Sequence, residues 1–417
     1  MFKRTINFDA GILQDEDDQR FGDYDKGSKA YLKNATTAVK GAVKVIYSRQ
    51  VSGELEVTKT EDHTQKIPYS LRLYDALARL FNDGTCAAVS KVQDHLYISY
   101  NNTASGKDKE RVSEVLTILK DQSKTYRDLF TYCMQQRQPH YNPKNYYRPD
   151  KKDKDQGKKV IFDFDGYKNA IDGLVPDTSG ADGTKFQEDC VAFLKLSREV
   201  SNDFDEFMGI IGEINASYNN LCTSLNEIEN IGAAEKAQIK ECLADAKSRM
   251  LYFRERLVSD CYKVKYCFDK DADLRKLVVD ESSYCSNDKK IHAELNLRAF
   301  LKENNIYPVY VGISKPSCLT CHTQFQIDEE REVKLLHIGT HGVSYIIDSA
   351  DLPDDTLFDS EFVFRITHRA FHKSSVDNPQ FRPIDPADQN LSISPIGETF
   401  YSSDSHGFYI PVYLGEY

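Results

Sequence analysis

Apolar residues recur at helical spacing over residues 71–81, where Leu73, Leu77, Leu80 and Phe81 share one side and Ala76 and Ala78 lie between them. Asn82-Asp83-Gly84 interrupts this run. The pattern then changes to alternation. Residues 85–92 and 95–100 read as two strands, and the Gln93-Asp94 pair between them predicts a β-hairpin that ends at Asn101 and Asn102. Upstream, residues 1 to 65 are polar, with one helix expected over 28–45. Downstream, 107–137 reads as one helix with Val112, Val115, Leu116, Ile118 and Leu119 on its apolar side. Residues 143–159 are basic and linker-like. From 185 to 262 the pattern is long, charged and helical, broken near Gly232, which predicts two helices in an antiparallel hairpin.

Mixed α/β character returns over 274–345. A short strand is expected at 274–279, a helix at 290–302, a strand at 306–313, a helix at 318–326 and a strand at 334–338. Beyond Asp348 the chain reads as polar and loop-rich, with a closing strand expected at 408–414.

Composition narrows the function classes. With 54 Lys and Arg against 65 Asp and Glu, the net charge of −11 argues against a general nucleic-acid coat, while a local basic groove stays open. No apolar run approaches the ~18 residues of a membrane span, and the N-terminus lacks the apolar region of a secretory signal. Ten cysteines dispersed through 417 residues fit a reducing, cytoplasmic setting better than a disulfide scaffold.

The candidate chemistry lies in His292-Ala293-Glu294 and in Pro316-Ser317-Cys318-Leu319-Thr320-Cys321. An imidazole and two thiolates suit Zn²⁺, and three protein ligands leave a fourth position for water. Cysteines three apart at a helix start present both sulfurs to one ion, and the helix N-terminus favours their negative charge. Glu294 stands two residues past the His, need not be a ligand, and can carry protons for that water. Metal ligands are therefore expected at His292, Cys318 and Cys321, with Glu294 as the catalytic residue.

This H-x-E … P-C-x-x-C order resembles the signature of the zinc deaminases and of the cytidine-deaminase-like superfamily, with Ser317 as an extra residue between the Pro and the first Cys, where it can cap the helix. The run Tyr310-Val-Gly-Ile-Ser-Lys-Pro-Ser-Cys-Leu-Thr-Cys321 is similar to a nucleic-acid deaminase-like family of rickettsial-type intracellular bacteria and fungi. Gly339-Thr-His-Gly342 and Asp75-Ala-Leu-Ala-Arg79 resemble further segments of that family. The resemblance implies an α/β fold with a cytidine-deaminase-like three-layer α/β/α core and a mixed sheet. Such a core needs a hairpin before the His-Glu helix, and the best hairpin here lies far upstream. The core is thus expected to be split: a polar arm (1–65), a first core part (66–103), a mostly helical insertion (104–275), the zinc-binding part (276–348) and a loop-rich extension (349–417). The resemblance also implies that Asn101, with Asn102 as fallback, holds the substrate. His341 reads either as a residue that contacts substrate or orients its neighbours, or as a turn histidine.

The implied activity is zinc-dependent hydrolytic deamination of a nucleobase, free, in a nucleotide or in single-stranded nucleic acid, with an effector role after delivery to another cell without a classical signal peptide. The alternative is an inactive deaminase-like module that binds a protein partner through its helical insertion and holds a structural zinc with a fourth ligand among Cys267, Cys285 and His322. Cys318-Leu-Thr-Cys321-His322 also satisfies the C-x-x-C-H of covalent haem attachment, which leaves His292 and Glu294 without a role. Residues 160–166 resemble the Asp-x-Asp segment of haloacid-dehalogenase-type phosphatases. Tyr167 stands where that family usually has Thr or Val, so the segment reads as a short exposed strand and an Asp-Gly turn. Tyr141 to Lys159 combines rings and cations, as a nucleic-acid-contacting loop or a solvated linker.

Overall fold

The computed structural model describes residues 29–55, 69–82, 86–136, 162, 164–175, 180–287, 290–340 and 352–371. In chain order the elements are α1 (Lys29–Val51), α2 (Tyr69–Phe81), β1 (Ala87–Val92), β2 (His95–Tyr100), α3 (Gly106–Lys120), α4 (Tyr126–Gln135), α5 (Phe164–Asp172), α6 (Gly180–Lys195), α7 (Phe204–Glu227), α8 (Ala233–Lys270) and α9 (Ala272–Arg275). They continue with α10 (Ala293–Glu303), β3 (Val309–Tyr310), β4 (Gly312–Ile313), α11 (Leu319–Glu330), β5 (Leu335–Leu336), α12 (Asp354–Leu357) and α13 (Ser360–Phe371). The chain divides into two compact units, Met1–Glu114 with Lys270–Tyr401, and Val115–Asp269 with Ser402–Tyr417. No helix among the described residues is long and apolar enough to cross a membrane.

In the first unit, the hairpin forms as its alternation predicts, with β1 and β2 antiparallel in the register Ala87 to Tyr100 through Val92 to His95. Its other edge pairs with β4, Ala88 opposite Ile313 and Val89 opposite Gly312, so the sheet order is β2-β1-β4. The hairpin and the segment just before the Cys pair thus share a sheet across a long stretch of intervening sequence.

The strand expected at 306–313 is broken. β3 pairs in parallel with β5, and after Val311 the chain turns to pair β4 with β1. The cause is on α2. The buried Asp75 carboxylate accepts from Tyr310 Oη at 2.7 Å and from the Ile313 backbone N–H at 2.9 Å. Gly312 lies against the backbone of Tyr74, where a Cβ would come within 2.3 Å of the Tyr74 carbonyl carbon. Only glycine admits that approach.

Successive strand residues face opposite ways. Ala88 and Ile313 join one apolar cluster with Leu295, Leu297 and Leu301 of α10, Phe325 and Ile327 of α11, and Val39 and Val43 of α1. Phe362, Val363, Ile366 and Ala370 of α13 complete it. Residues 349–417 are therefore not loop-rich throughout. The spacing of those four apolar positions is helical, and α13 closes the core.

Polar groups set the helix positions. Arg298 of α10 is fully buried and grips Asp328 of α11 with two bonds, Nε to Oδ2 at 2.5 Å and Nη2 to Oδ1 at 2.8 Å. Its Nη1 bonds Asp355 and reaches Thr356 Oγ1 at 3.2 Å, which adds α12. Arg331 forks onto Asp359 at 2.6 and 3.0 Å, and Asp359 Oδ1 caps the start of α13 through Glu361 N–H.

The expected strand at 274–279 is instead the turn α9 followed by Val278, which bonds Leu96 N–H and Asp94 C=O alongside β2. Helix α1 runs on to Val51, past the expected end at residue 45.

The second unit is helical. Residues 107–137 are two helices rather than one. Asp121 Oδ1 turns back onto the Ser123 N–H at 2.9 Å, and Thr125 and Asp128 form a capping box that starts α4. Such local side-chain bonds offer the backbone an alternative to the helix. The span 185–262 holds three helices, because α6 ends in a 3-10 turn (Leu196–Arg198) and Asp203 caps α7. Arg254 of α8 is buried and secures that turn, with Nη2 reaching Leu196 O at 3.0 Å and Glu199 O at 2.7 Å. α7 and α8 run antiparallel, with Asn226 bonded to Lys236 and Lys240 and Tyr218 beneath Lys247. The Asp165-Gly166 turn expected near residue 166 is the first turn of α5. Residues 143–159 and 408–414 lie outside the described residues.

Gly312→Ala is expected to cost about 1–3 kcal/mol, because the added methyl meets backbone, read as a lower urea midpoint at constant m-value. Arg298→Met is expected to cost about 3–5 kcal/mol by leaving Asp328 buried without its partner. Arg365→Met, at the half-exposed pair with Glu330, is expected to cost about 1 kcal/mol or less. Equal losses at Arg298 and Arg365 would refute this account.

Candidate metal centre

The site is built from the first turns of two helices. His292 occupies the N-cap position of α10, and its carbonyl takes the first helical bond, from Asn296 N–H at 3.0 Å. The side chain of His292 does not cap the helix, which leaves the imidazole for other partners. The orphan N–H of Ala293 is satisfied by Asn101 Oδ1 at 2.8 Å. The preceding residue is held by Asn287, whose Oδ1 accepts from Ile291 N–H at 2.7 Å and whose Nδ2 donates to Ile291 O at 2.6 Å and to Tyr100 O. The end of the hairpin therefore fixes where α10 begins.

Cys318 is the N-cap residue of α11. Its Sγ accepts from the Cys321 N–H at 3.5 Å, in the place where a Ser or Asp oxygen ordinarily sits. The two sulfurs are 3.3 Å apart, and His292 Nδ1 is 3.1 Å from Cys321 Sγ and 3.6 Å from Cys318 Sγ. These three ligand atoms all lie within 4.8 Å of one another. A nitrogen and two sulfurs on rigid helix starts are the donor set of a borderline-soft divalent ion. The residues present can hold a metal, and they fit zinc.

The cluster polarises its own protons. The Cys321 hydrogen bond, with help from His292 and against burial, holds the Cys318 thiol well below its ordinary value. Burial, together with the bond to and charge of Cys318, pushes Cys321 well above. Burial pulls the His292 imidazole down, but Cys318 and Glu294 outweigh it and lift it to about 9. Burial raises Glu294, with His292 opposing.

Glu294 is 4% exposed, in the first turn of α10, next to the donor cluster. Beside it stands a residue that sequence reasoning passed over: Cys86 Sγ lies 3.8 Å from Glu294 Oε2. Nothing local flags Cys86, since its partner is 208 positions away. Asn287 was passed over too, although its bonds to Ile291 lie only four residues along the chain.

Ser317 does not cap α11. Its N–H and Oγ both donate to Gly339 O, at 3.0 and 2.8 Å, and its carbonyl accepts from Thr340 Oγ1 at 2.8 Å. The cap position belongs to Cys318, so the extra residue serves to tie down the segment leading to His341, which itself lies outside the described residues. His322 pairs with His337, Nδ1 to Nε2 at 3.1 Å, and Cys285 is bound through its backbone to Ile98; among the described residues the donor cluster comprises His292, Cys318 and Cys321.

Metal titration followed by elemental analysis should give about one zinc per chain, and the Cys318→Ser, Cys321→Ser double variant should hold essentially none. Because His292 and Cys321 must each lose a proton to ligate, affinity should rise with pH through about 9 and continue to rise above it. Unchanged zinc content in the double variant would refute the site.

A family model described as OTT_1508-like deaminase matches residues 291–346. No curated protein and no solved structure matches the chain. The matched stretch runs from the residue before His292 past both cysteines and His341, so the part of the chain that carries the donor cluster is deaminase-like.

Proposed function

We propose that this chain is a zinc-dependent hydrolytic deaminase of a nucleobase, cytosine or adenine, either free or within a nucleotide or single-stranded nucleic acid. The observation that carries this reading is the convergence of His292, Cys318 and Cys321 within 4.8 Å beside the buried Glu294, inside the deaminase-like stretch. Zn²⁺ supplies Lewis acidity and a nucleophile at neutral pH.

The remaining chemistry falls to Glu294. It takes a proton from the attacking water and delivers it to the ring nitrogen as the new C–O bond forms at C4 of cytosine or C6 of adenine. It then carries the second proton to the departing amine, so that ammonia leaves and the oxo base remains. A carboxylate raised by burial is suited to both transfers. Asn101 is proposed to hold the base. Its Oδ1 is engaged by Ala293 N–H, which leaves Nδ2 as a donor for an acceptor atom of the substrate. His341 is proposed as a further contact, on the ground that Thr340 before it is tied to Ser317.

We also propose that 66–103 and 276–348 form the deaminase core, with 104–275 inserted between them. The pairing of β1 with β4 supports this reading. The effector role rests on the family resemblance alone.

Glu294→Gln is the decisive variant, because it keeps shape and removes the proton carrier. RNA, single-stranded DNA and free nucleosides are incubated with each protein, and deaminated product is counted. Conversion is expected to fall by at least about 10²–10⁴-fold, with zinc content and melting temperature near wild type. Equal conversion by both proteins would sink the mechanism, and no conversion by wild type across all three substrate classes would count against the enzyme reading.

A further inference from the structure

The side chains behind Glu294 carry an inference that rests on the deaminase reading. Ser314 Oγ accepts two hydrogen bonds, from Asn82 Nδ2 at 2.8 Å and from the Ala87 backbone N–H at 3.0 Å. A hydroxyl has two lone pairs and one proton. With both lone pairs engaged, the proton is left to donate, and Cys86 Sγ stands 3.6 Å away. The Ala87 N–H can only donate, so this direction is built into the backbone.

The thiol faces two acceptors, Glu294 Oε2 at 3.8 Å and its neighbour's carbonyl, Ala87 O, at 3.9 Å. A carboxylate is the stronger acceptor. Burial, and then the charge of Glu294, pushes the Cys86 thiol far above its ordinary value. The sulfur therefore keeps the proton it needs to donate.

We infer that Asn82, Ser314 and Cys86 form a one-way hydrogen-bond chain that holds the Glu294 carboxylate through Oε2 and leaves Oε1 to carry protons. Cys86 is a positioning residue. Asn82 and Ser314 act through it, Asn82 from the end of α2 and Ser314 from the loop between β4 and the Cys pair. All three lie outside the donor cluster, so their loss leaves metal binding intact.

The chain has a signature independent of turnover. In full-length, zinc-loaded protein, the infrared S–H stretch of Cys86 is isolated as the difference between wild type and Cys86→Ala. A hydrogen-bonded thiol absorbs at lower frequency, so the band is expected to move up in Glu294→Gln, whose amide is a weaker acceptor. An identical band in both proteins would mean that the thiol bonds Ala87 O, and the chain would be disproved.

The second arm uses whichever substrate the wild type converts. Cys86→Ala is expected to lower kcat about tenfold, the low end for a bond to a charged group, with KM and zinc content near wild type. Cys86→Ser, which retains a donor, is expected to recover most of that loss, and Ser314→Ala to show a smaller fall in kcat. An unchanged kcat in Cys86→Ala, or a loss that Cys86→Ser fails to recover, would overturn the positioning role. Should the wild type convert no substrate, the deaminase reading fails, while the infrared arm still decides whether the chain exists.

Discussion

Arg298 and Asp328 meet through two parallel hydrogen bonds where neither touches water. This fork joins α10 to α11, the two helices whose first turns carry the donor cluster. Arg298 lies one helical turn beyond Glu294, on the same helix. A buried ion pair of this kind adds little net stability over an apolar pair, because desolvation offsets the attraction. A bidentate fork does impose one geometry. Sliding either helix by one residue would break both bonds and strand two charges. A site whose ligand atoms must converge within 4.8 Å needs such a constraint. Asp355 and Thr356 fasten a third element to the same guanidinium.

The constraint sets where the helices run; their ends are set separately. Helix starts leave N–H groups without intrahelical partners, and one on each of these two helices is answered by a residue tied to the site. Asn101, at the end of β2, takes the Ala293 N–H. Cys318 takes the Cys321 N–H on its own sulfur. Three-residue spacing places the third N–H of a helix over the cap atom, so the Cys-x-x-Cys spacing positions the ligands and caps α11 together. His292, by contrast, leaves its imidazole out of the cap and turns it toward the sulfurs.

The hairpin and the Cys pair could be read from the sequence because both follow local periods, while His292 is joined to that pair only through the H-x-E … P-C-x-x-C order, which resembles the zinc-deaminase signature. A two-residue alternation marks a strand, and ligands at a helix start repeat at the spacing of a cap. The break between β3 and β4 was hidden because Tyr310 to Ile313 is continuously apolar apart from Gly312, and its cause, Asp75, sits on another element. The turn between α3 and α4 did carry a local sign, Thr125 with Asp128, but the charged periodicity on either side masked it. α13 was obscured by its polar surroundings, although Phe362, Val363 and Ile366 follow helical spacing. Cys86 and the Arg298–Asp328 fork left no local trace. Pairings between distant elements have no period along the chain.

The helix starts also explain how this acidic protein concentrates negative charge at one point. Cys318 and Glu294 both stand in first turns, where backbone N–H groups favour anions. Burial works in the opposite direction and is the larger influence on Glu294. Among the ligands the same opposition shows: the Cys321 hydrogen bond holds the Cys318 thiol low against burial, burial pushes the Cys321 thiol up, and Cys318 lifts His292 against burial. A divalent cation bound by all three must displace the protons that Cys321 and His292 favour, so that positive charge enters beside Glu294 as positive charge leaves.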